Sequence, residues 1–243
     1  MHAEAANQDL PEATRGVIGA RMIRHAACTL HDLFAGQLAE RVEPGAAIFW
    51  QGDHAAHVFE IASGAMRTVR VLNDGRRVIT GFLFAGDIIG ATYRDRYLTT
   101  VEAIVPTRIR RLSHRRFEDD VEKAAALRPA LVAHLRDEMT ASQDQIVLLA
   151  RKSAEERVAS FLLSLARRKG ADEVADTAIS LPMTRQDMAD YLGLTIETVS
   201  RIMTRLTRQG IIAPSGRHEV EIRRPATLAA LAVDDMDEKD EAA

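Results

Sequence analysis

The chain has 243 residues, 47% hydrophobic and 28% charged, a composition that builds buried cores and excludes fibrous or fully disordered proteins. Its single cysteine, Cys28, excludes an intrachain disulfide and any four-cysteine iron–sulfur or zinc site. No signal-peptide pattern is present and no apolar run approaches the ~18 residues of a membrane helix, so a cytoplasmic location without membrane contact is expected. The net charge of −3 is unevenly spread: residues 184–225 hold seven arginines and five acids, whereas 226–243 hold six acids and one lysine. The acidic end lacks an apolar face, reads as disordered, and hides a basic segment in the total.

Residues 1–30 are Ala-rich and weakly periodic, a loose arm with some helix. From Val42 to about Ser113, short β-branched and aromatic runs alternate with turn signals at Pro44-Gly45, Gly52-Asp53, Ser63-Gly64, Asn73-Asp74-Gly75 and Gly86-Asp87. Turns at roughly 8–12-residue spacing fit a small β-sandwich or barrel, and "VRVLNDGRRVITGF" is the strongest hairpin. "HRRFEDDVEKAAAL" then reads as a short helix, and Pro129 is expected to open a long one. In that helix Val132, Leu135, Met139, Ser142, Ile146 and Leu149 recur at a/d heptad spacing. Such a seam fits a helix packed on its own domain or a two-stranded coiled coil that pairs two copies. In "SAEERVASFLLSLARRKG", Ser153 and Glu156 form a capping box and Gly170 stops the helix. A polar loop over 171–177 and a brief strand, "AISLPM", follow.

The stretch "TRQDMADYLGLTIETVSR", 184–201, predicts two short helices around a glycine. Thr184 caps the first with Asp187 at its third position, Gly193 supplies the sharp turn, and Thr195 caps a second helix over roughly 196–208. Val199, Ile202, Met203 and Leu206 form the buried stripe of that second helix. Glu197, Ser200 and Arg201 fall on one exposed face near its start, where a recognition helix meets base edges. Arg201 suits guanine O6 and N7, and Glu197 suits a cytosine or adenine amino group and can also pair with Arg201 across one turn. Ile196 offers only apolar contact and favours a thymine methyl. Thr184, Arg185, Gln186, Thr195, Thr198 and Arg205 suit phosphates. "IIAPSGRHEVEIRR" reads as a hairpin wing, with Ser215 and Arg217 at its tip available to the DNA backbone.

With these residues in view, the chain resembles the CRP/FNR superfamily of bacterial transcription regulators over nearly its whole length. The Glu197-x-x-Ser200-Arg201 pattern is similar to the FNR/FixK branch, whereas cyclic-AMP-responsive activators carry arginine at the place of Ile196 and glycine at that of Ser200. The resemblance implies an α+β fold: an arm (1–30), a cyclic-nucleotide-binding-type β-roll (31–124), a dimerisation helix (125–152), a winged helix-turn-helix (153–228) and an acidic tail (229–243). It implies a homodimer that reads TTGA-type half-sites of double-stranded DNA through Glu197, Ser200 and Arg201. RNA polymerase is the implied second partner, mainly in activation of low-oxygen or nitrogen-oxide-related genes.

A small-molecule, haem or cyclic-nucleotide sensor whose ligand gates DNA binding is the alternative that the same resemblance raises. Cyclic-nucleotide sensors of the superfamily hold ribose and phosphate with a glycine-acid turn and an Arg-Ser pair. Here "FAGDIIG" keeps the acid as Asp87, but Tyr97 and Leu98 stand in place of Arg-Ser, leaving Arg94 or Arg96 as substitute cations. The cysteine cluster of oxygen-sensing relatives is reduced to Cys28. His25, Cys28 and His31 have ligand-type spacing but read as polar positions on a short helix, and His54 and His57 as solvent-facing turn residues. No cofactor and no metal is expected. No Ser-His-Asp order, P-loop or metal-hydrolase spacing occurs, so an enzyme is not expected.

Overall fold

The computed structural model describes residues 29–91, 95–168, 177–216 and 218–232. The arm before Thr29 with His25 and Cys28, Arg94, Gly170 with residues 171–176 of the polar loop, Arg217 and the chain after Ala232 lie outside the described residues, and Thr177, expected in that loop, opens a strand.

A 3-10 helix, Leu30–Phe34, leads into eight strands: β1 Glu40–Val42, β2 Ala47–Phe49, β3 His57–Ser63, β4 Ala65–Val71, β5 Arg77–Phe84, β6 Ile88–Ile89, β7 Thr100–Ala103 and β8 Thr107–Ser113. They pair antiparallel in two four-stranded sheets, ordered β1-β8-β3-β6 and β2-β7-β4-β5, which form a roll. Phe49, Phe59, Ile61, Met66, Val101 and Ile109 alternate inward and fill the space between the sheets. Strand β3 is buried on both faces, because Val58 points instead toward Leu30, Phe34 and the next helix, α1 His114–Lys123.

Helix α2, Leu127–Arg151, follows, about 37 Å long at the standard rise. It begins two residues before Pro129, the expected start. Leu127 is fully buried against Phe117 and Val121, and burying it extends the helix upstream. Pro129 then occupies the first turn, where its missing N–H costs no helical bond. Helix α3, Ala154–Arg167, carries the expected capping box from Ser153 and Glu156.

Strand β9 Thr177–Ser180, helices α4 Arg185–Leu192 and α5 Ile196–Arg208, strands β10 Ile212–Pro214 and β11 Glu219–Ile222, and helix α6 Pro225–Ala232 complete the chain. The last three strands form a sheet ordered β10-β11-β9, so the β10–β11 hairpin is a wing on a helix-turn-helix. Residues 229–232, expected in the disordered tail, are helical: Leu228 and Ala232 are buried and α6 packs on α3.

Gly64, between β3 and β4, has φ +97, and a Cβ there would lie 2.5 Å from Thr107 Oγ1 and 2.7 Å from Thr107 Cα. That hydroxyl accepts the Ala65 amide at 3.2 Å, so it cannot retreat freely. Gly64→Ala is therefore expected to destabilise the roll by about 2–4 kcal/mol, through strain plus overpacking; chemical denaturation checks it, and a loss under half a kilocalorie would contradict the contact.

Candidate nucleic-acid interface

Thr184 Oγ1 accepts the Asp187 amide at 3.0 Å while Asp187 Oδ2 accepts the Thr184 amide at 2.9 Å, a closed capping box that starts α4. Gly193 ends α4 at φ +63, a left-handed conformation that suits glycine. Thr195 then caps α5 by accepting the Thr198 amide at 3.2 Å. Val199, Ile202, Met203 and Leu206 are buried, as their spacing predicts, which fixes the rotation of α5 about its axis. Ile196, Glu197 and Arg201 consequently face solvent on the first turns, with Ser200 half-buried beside them.

The electrostatics of that face differ from expectation in detail. Arg201 reaches Thr198 Oγ1 at 3.5 Å rather than pairing with Glu197. The Glu197 carboxyl is held below the usual carboxylate range by its own backbone amide first, then by the Thr195 hydroxyl, with Arg201 a smaller influence. The two base-reading candidates are thus both charged and not committed to each other. Among the residues expected on phosphates, Thr184, Gln186, Thr195 and Ser215 are exposed and Thr198 is half-buried. Gln186 donates to Asp190 Oδ1 at 2.6 Å. Arg205 is held by Glu155 of α3, an intrachain pair that sequence did not reveal. Arg185 is half-buried with Nη1 3.2 Å from Met188 Sδ, and burial lowers its pKa. Neither arginine is poised as freely as its position in sequence implied.

Two sets of contacts missed by sequence reasoning hold this unit in place. Arg157 of α3 donates to Leu149 O at 2.9 Å and Lys152 O at 2.9 Å at the end of α2, and to Leu192 O at 3.0 Å in the helix-turn-helix turn. Gln145 of α2 donates to Tyr191 O at 2.9 Å. On the opposite side, Arg67 of β4 donates to Glu102 Oε2 at 2.9 Å and to Asp187 Oδ1 at 2.5 Å. Arg77 joins Glu102 at 2.7 Å, completing two cations and two buried carboxylates. Burial alone would lower the Arg67 pKa; Glu102 and Asp187 together raise it. Capping chemistry identifies Asp187 in the sequence, but nothing there points 120 positions back to Arg67.

The seam of α2 is open. Val132 is 57% exposed, Met139 59%, Ile146 67% and Leu149 40%, on a helix whose Leu131 and Leu148 are buried in its own chain. Leu135 is half-buried and packs against the roll, and Ser142 is exposed and donates to Glu138 O at 2.8 Å.

Among the described residues, the side chains at the nucleotide position of the roll have partners within the chain. Tyr97 is buried, stacks on Phe49 at 3.7 Å, and its hydroxyl donates to His57 O at 2.7 Å. Asp87 accepts the Phe84 amide at 2.9 Å and pairs with Arg168 at 2.5 Å, so its carboxylate is satisfied within the chain. Arg96 donates to Gly52 O at 2.6 Å, and Leu98 is exposed. The adjoining cavity, lined by Phe49, His54, His57, Phe59 and Tyr97, holds about 230 Å³, below the ~300–1,000 Å³ of small-molecule sites. His54 is exposed as expected, His57 half-buried beside Phe59, and His31 pairs with Glu60 at 3.0 Å.

A roll of two sheets, a long helix with an uncovered apolar stripe and a winged helix-turn-helix with charged residues at the start of its second helix define a two-part regulator architecture. The Crp-like helix-turn-helix domain matches residues 156–231 and the cyclic nucleotide-binding domain residues 39–123. The chain is 40% identical over 189 residues to the nitrogen fixation regulation protein FixK of Azorhizobium caulinodans, covering 76% of this chain and 75% of that one. It is 37% identical over 202 residues to the transcriptional activatory protein AadR of Rhodopseudomonas palustris, covering 80% and 83%. The solved structure of FixK2 from Bradyrhizobium japonicum superposes with a TM-score of 0.74 at 33% identity, covering 80% and 96%. The chain belongs to the CRP/FNR family, in its FixK branch.

Removing the Arg157 guanidinium strands carbonyls at two helix ends. Arg157→Ala should lower stability by about 2–4 kcal/mol, as lost charged hydrogen bonds do, and the thermal midpoint reads it; an unchanged midpoint would show that these carbonyls find other donors.

Proposed function

We propose that this protein is a homodimeric, sequence-specific DNA-binding activator of transcription that reads a TTGA-type palindrome. The observation that carries this reading is the first turns of α5, where Glu197 and Arg201 are exposed above a fully buried stripe. A carboxylate and a guanidinium so placed match the amino and O6/N7 edges of a C·G pair in the major groove. Ile196, 38% exposed at the helix start, adds apolar contact suited to a thymine methyl. Ser200 completes the set, with Thr184, Arg185, Gln186, Thr195, Thr198, Arg205 and Ser215 as phosphate partners, and we assign the same role to Arg217 from its place in the sequence. For Arg205 this requires release from Glu155 or a shared contact.

The apolar stripe of α2 supports pairing with a second copy, since a lone helix gains nothing by exposing Met139 and Ile146. Two copies would place their recognition helices on half-sites about one helical turn apart, roughly 10 bp. The names of the relatives, nitrogen fixation regulation and transcriptional activation, support a role in gene activation; we assign it to low-oxygen or nitrogen-oxide-related genes, with RNA polymerase as partner, by family resemblance. No helix of the described residues is long and apolar enough to cross a membrane, and we place the protein in the cytoplasm.

Selection from random duplexes with the purified protein is expected to return the palindrome. Arg201→Ala should lose about 1–3 kcal/mol per half-site on it; wild-type footprints from this variant would remove Arg201 from the interface. Ile146→Asp should convert the dimer to monomer in sedimentation at micromolar concentration, because it buries a charge in the seam; an unchanged dimer would place the interface elsewhere.

A further inference from the structure

The winged-helix unit leaves α2 through two extended residues, Lys152 at φ −87, ψ 143 and Ser153 at φ −68, ψ 169. Rotation about so short a link swings the whole reading head. Arg157 and Gln145 tie the helix-turn-helix turn to α2, close to the pivot. Farther along the head the roll meets it through the Phe82–Phe161–Tyr191 cluster, the Asp87–Arg168 pair and the Arg67–Asp187 pair, the last gripping the first turn of α4. Asp187 is also the N3 residue of the capping box, so its carboxylate is held at Oδ2 by Thr184 and at Oδ1 by Arg67. Arg67 in turn is fixed by Glu102, itself braced by Arg77. Every charge in this chain of contacts is paired, and both carboxylates are buried.

We infer that the Arg67–Asp187 pair fixes each recognition helix relative to the dimer axis and thereby sets the half-site spacing that the protein accepts. The inference rests on the dimeric DNA-binding reading above. Its physical basis is effective concentration: once one head is seated, the second is bound in proportion to the time it spends at the second half-site. A pinned head concentrates that time at one spacing. A loosened head spreads it over neighbouring spacings and leaves the contact of each head with its own half-site intact. Arg67 touches no DNA on this account; it is a positioning residue.

The test compares full-length wild type with Arg67→Met on the selected palindrome, on the same palindrome with one base pair added or removed between half-sites, and on a duplex with one half-site. Arg67→Met is expected to reduce the preference for the selected spacing about tenfold, while single-half-site affinity changes less than about twofold. Asp187→Asn keeps an acceptor for the Thr184 amide, removes the charge and should shift spacing in the same direction. Arg67→Lys keeps a cation but cannot bridge both carboxylates as the guanidinium fork does, and supplies the comparison should Arg67→Met fail to fold. Unchanged spacing preference in folded Arg67→Lys and Asp187→Asn overturns the inference. So does an equal loss on all the duplexes, which is what general destabilisation produces. Arg201→Ala, run beside them, reports on base reading alone, so failure of the interface and failure of the pin are distinguishable.

Discussion

Val69, Ile79 and Phe82 are strand residues of the roll, yet they are buried in the same core as the helices of the winged unit. The β4–β5 pair makes this possible through a register shift. Thr68 faces Gly81 and Val69 faces Ile79, so Thr80 is an extra residue, a bulge that keeps Ile79 and Phe82 on one face. Gly81 sits tight against Thr68 Oγ1, where even a Cβ would come within 3.1 Å. Phe82 then meets Phe161 at 5.8 Å and Tyr191 at 5.2 Å, joining β5, α3 and α4 in one aromatic cluster. Burying side chains of this size contributes about 1.5–3 kcal/mol each, more than surface ion pairs supply. The apolar contact therefore supplies the adhesion, and the charged residues around it supply direction.

Helix α2 answers to two demands at once. Leu127, Leu131 and Leu148 attach it to the roll and the winged unit, while Val132, Met139 and Ile146 face away from both. Leu149 is shared: its Cδ2 approaches the turn at Gly193, although 40% of the residue stays exposed. An apolar stripe on a helix face is stabilised by being covered. The heptad positions therefore divide: Leu135 and part of Leu149 face their own chain, while Val132, Met139 and Ile146 are left exposed.

Much of the winged unit was legible in the sequence because its signals are local. A capping threonine, an acid three residues later, a glycine at the turn and a 3.6-residue apolar period each act within one or two helical turns. They returned α5 as Ile196–Arg208 and its buried stripe without error. The roll was legible as strands and turns for the same reason, though not in its pairing order. What stayed hidden was side-chain partnership at long range. Arg67 with Asp187, Arg205 with Glu155, and Arg157 with four separate carbonyls look like ordinary charged surface residues in one dimension. The start of α2 was misjudged for a related reason: Pro129 is a local signal, and the burial of Leu127 against α1 outweighs it.

The same logic bears on what the roll does. An arginine at the position of Tyr97 would leave a cation seeking an anion. The tyrosine instead stacks on Phe49 and both donates to and accepts from the His57 backbone, at 2.7 and 3.0 Å. Admitting a phosphate there would break both bonds and bury a charge beside Phe49 and Phe59. The acid of the turn, Asp87, has likewise been redirected, to Arg168 at the end of α3, whose guanidinium also lies 5.2 Å over the Phe84 ring. Both halves of the nucleotide cradle have thus become structural, one as core and one as a tie to the winged unit.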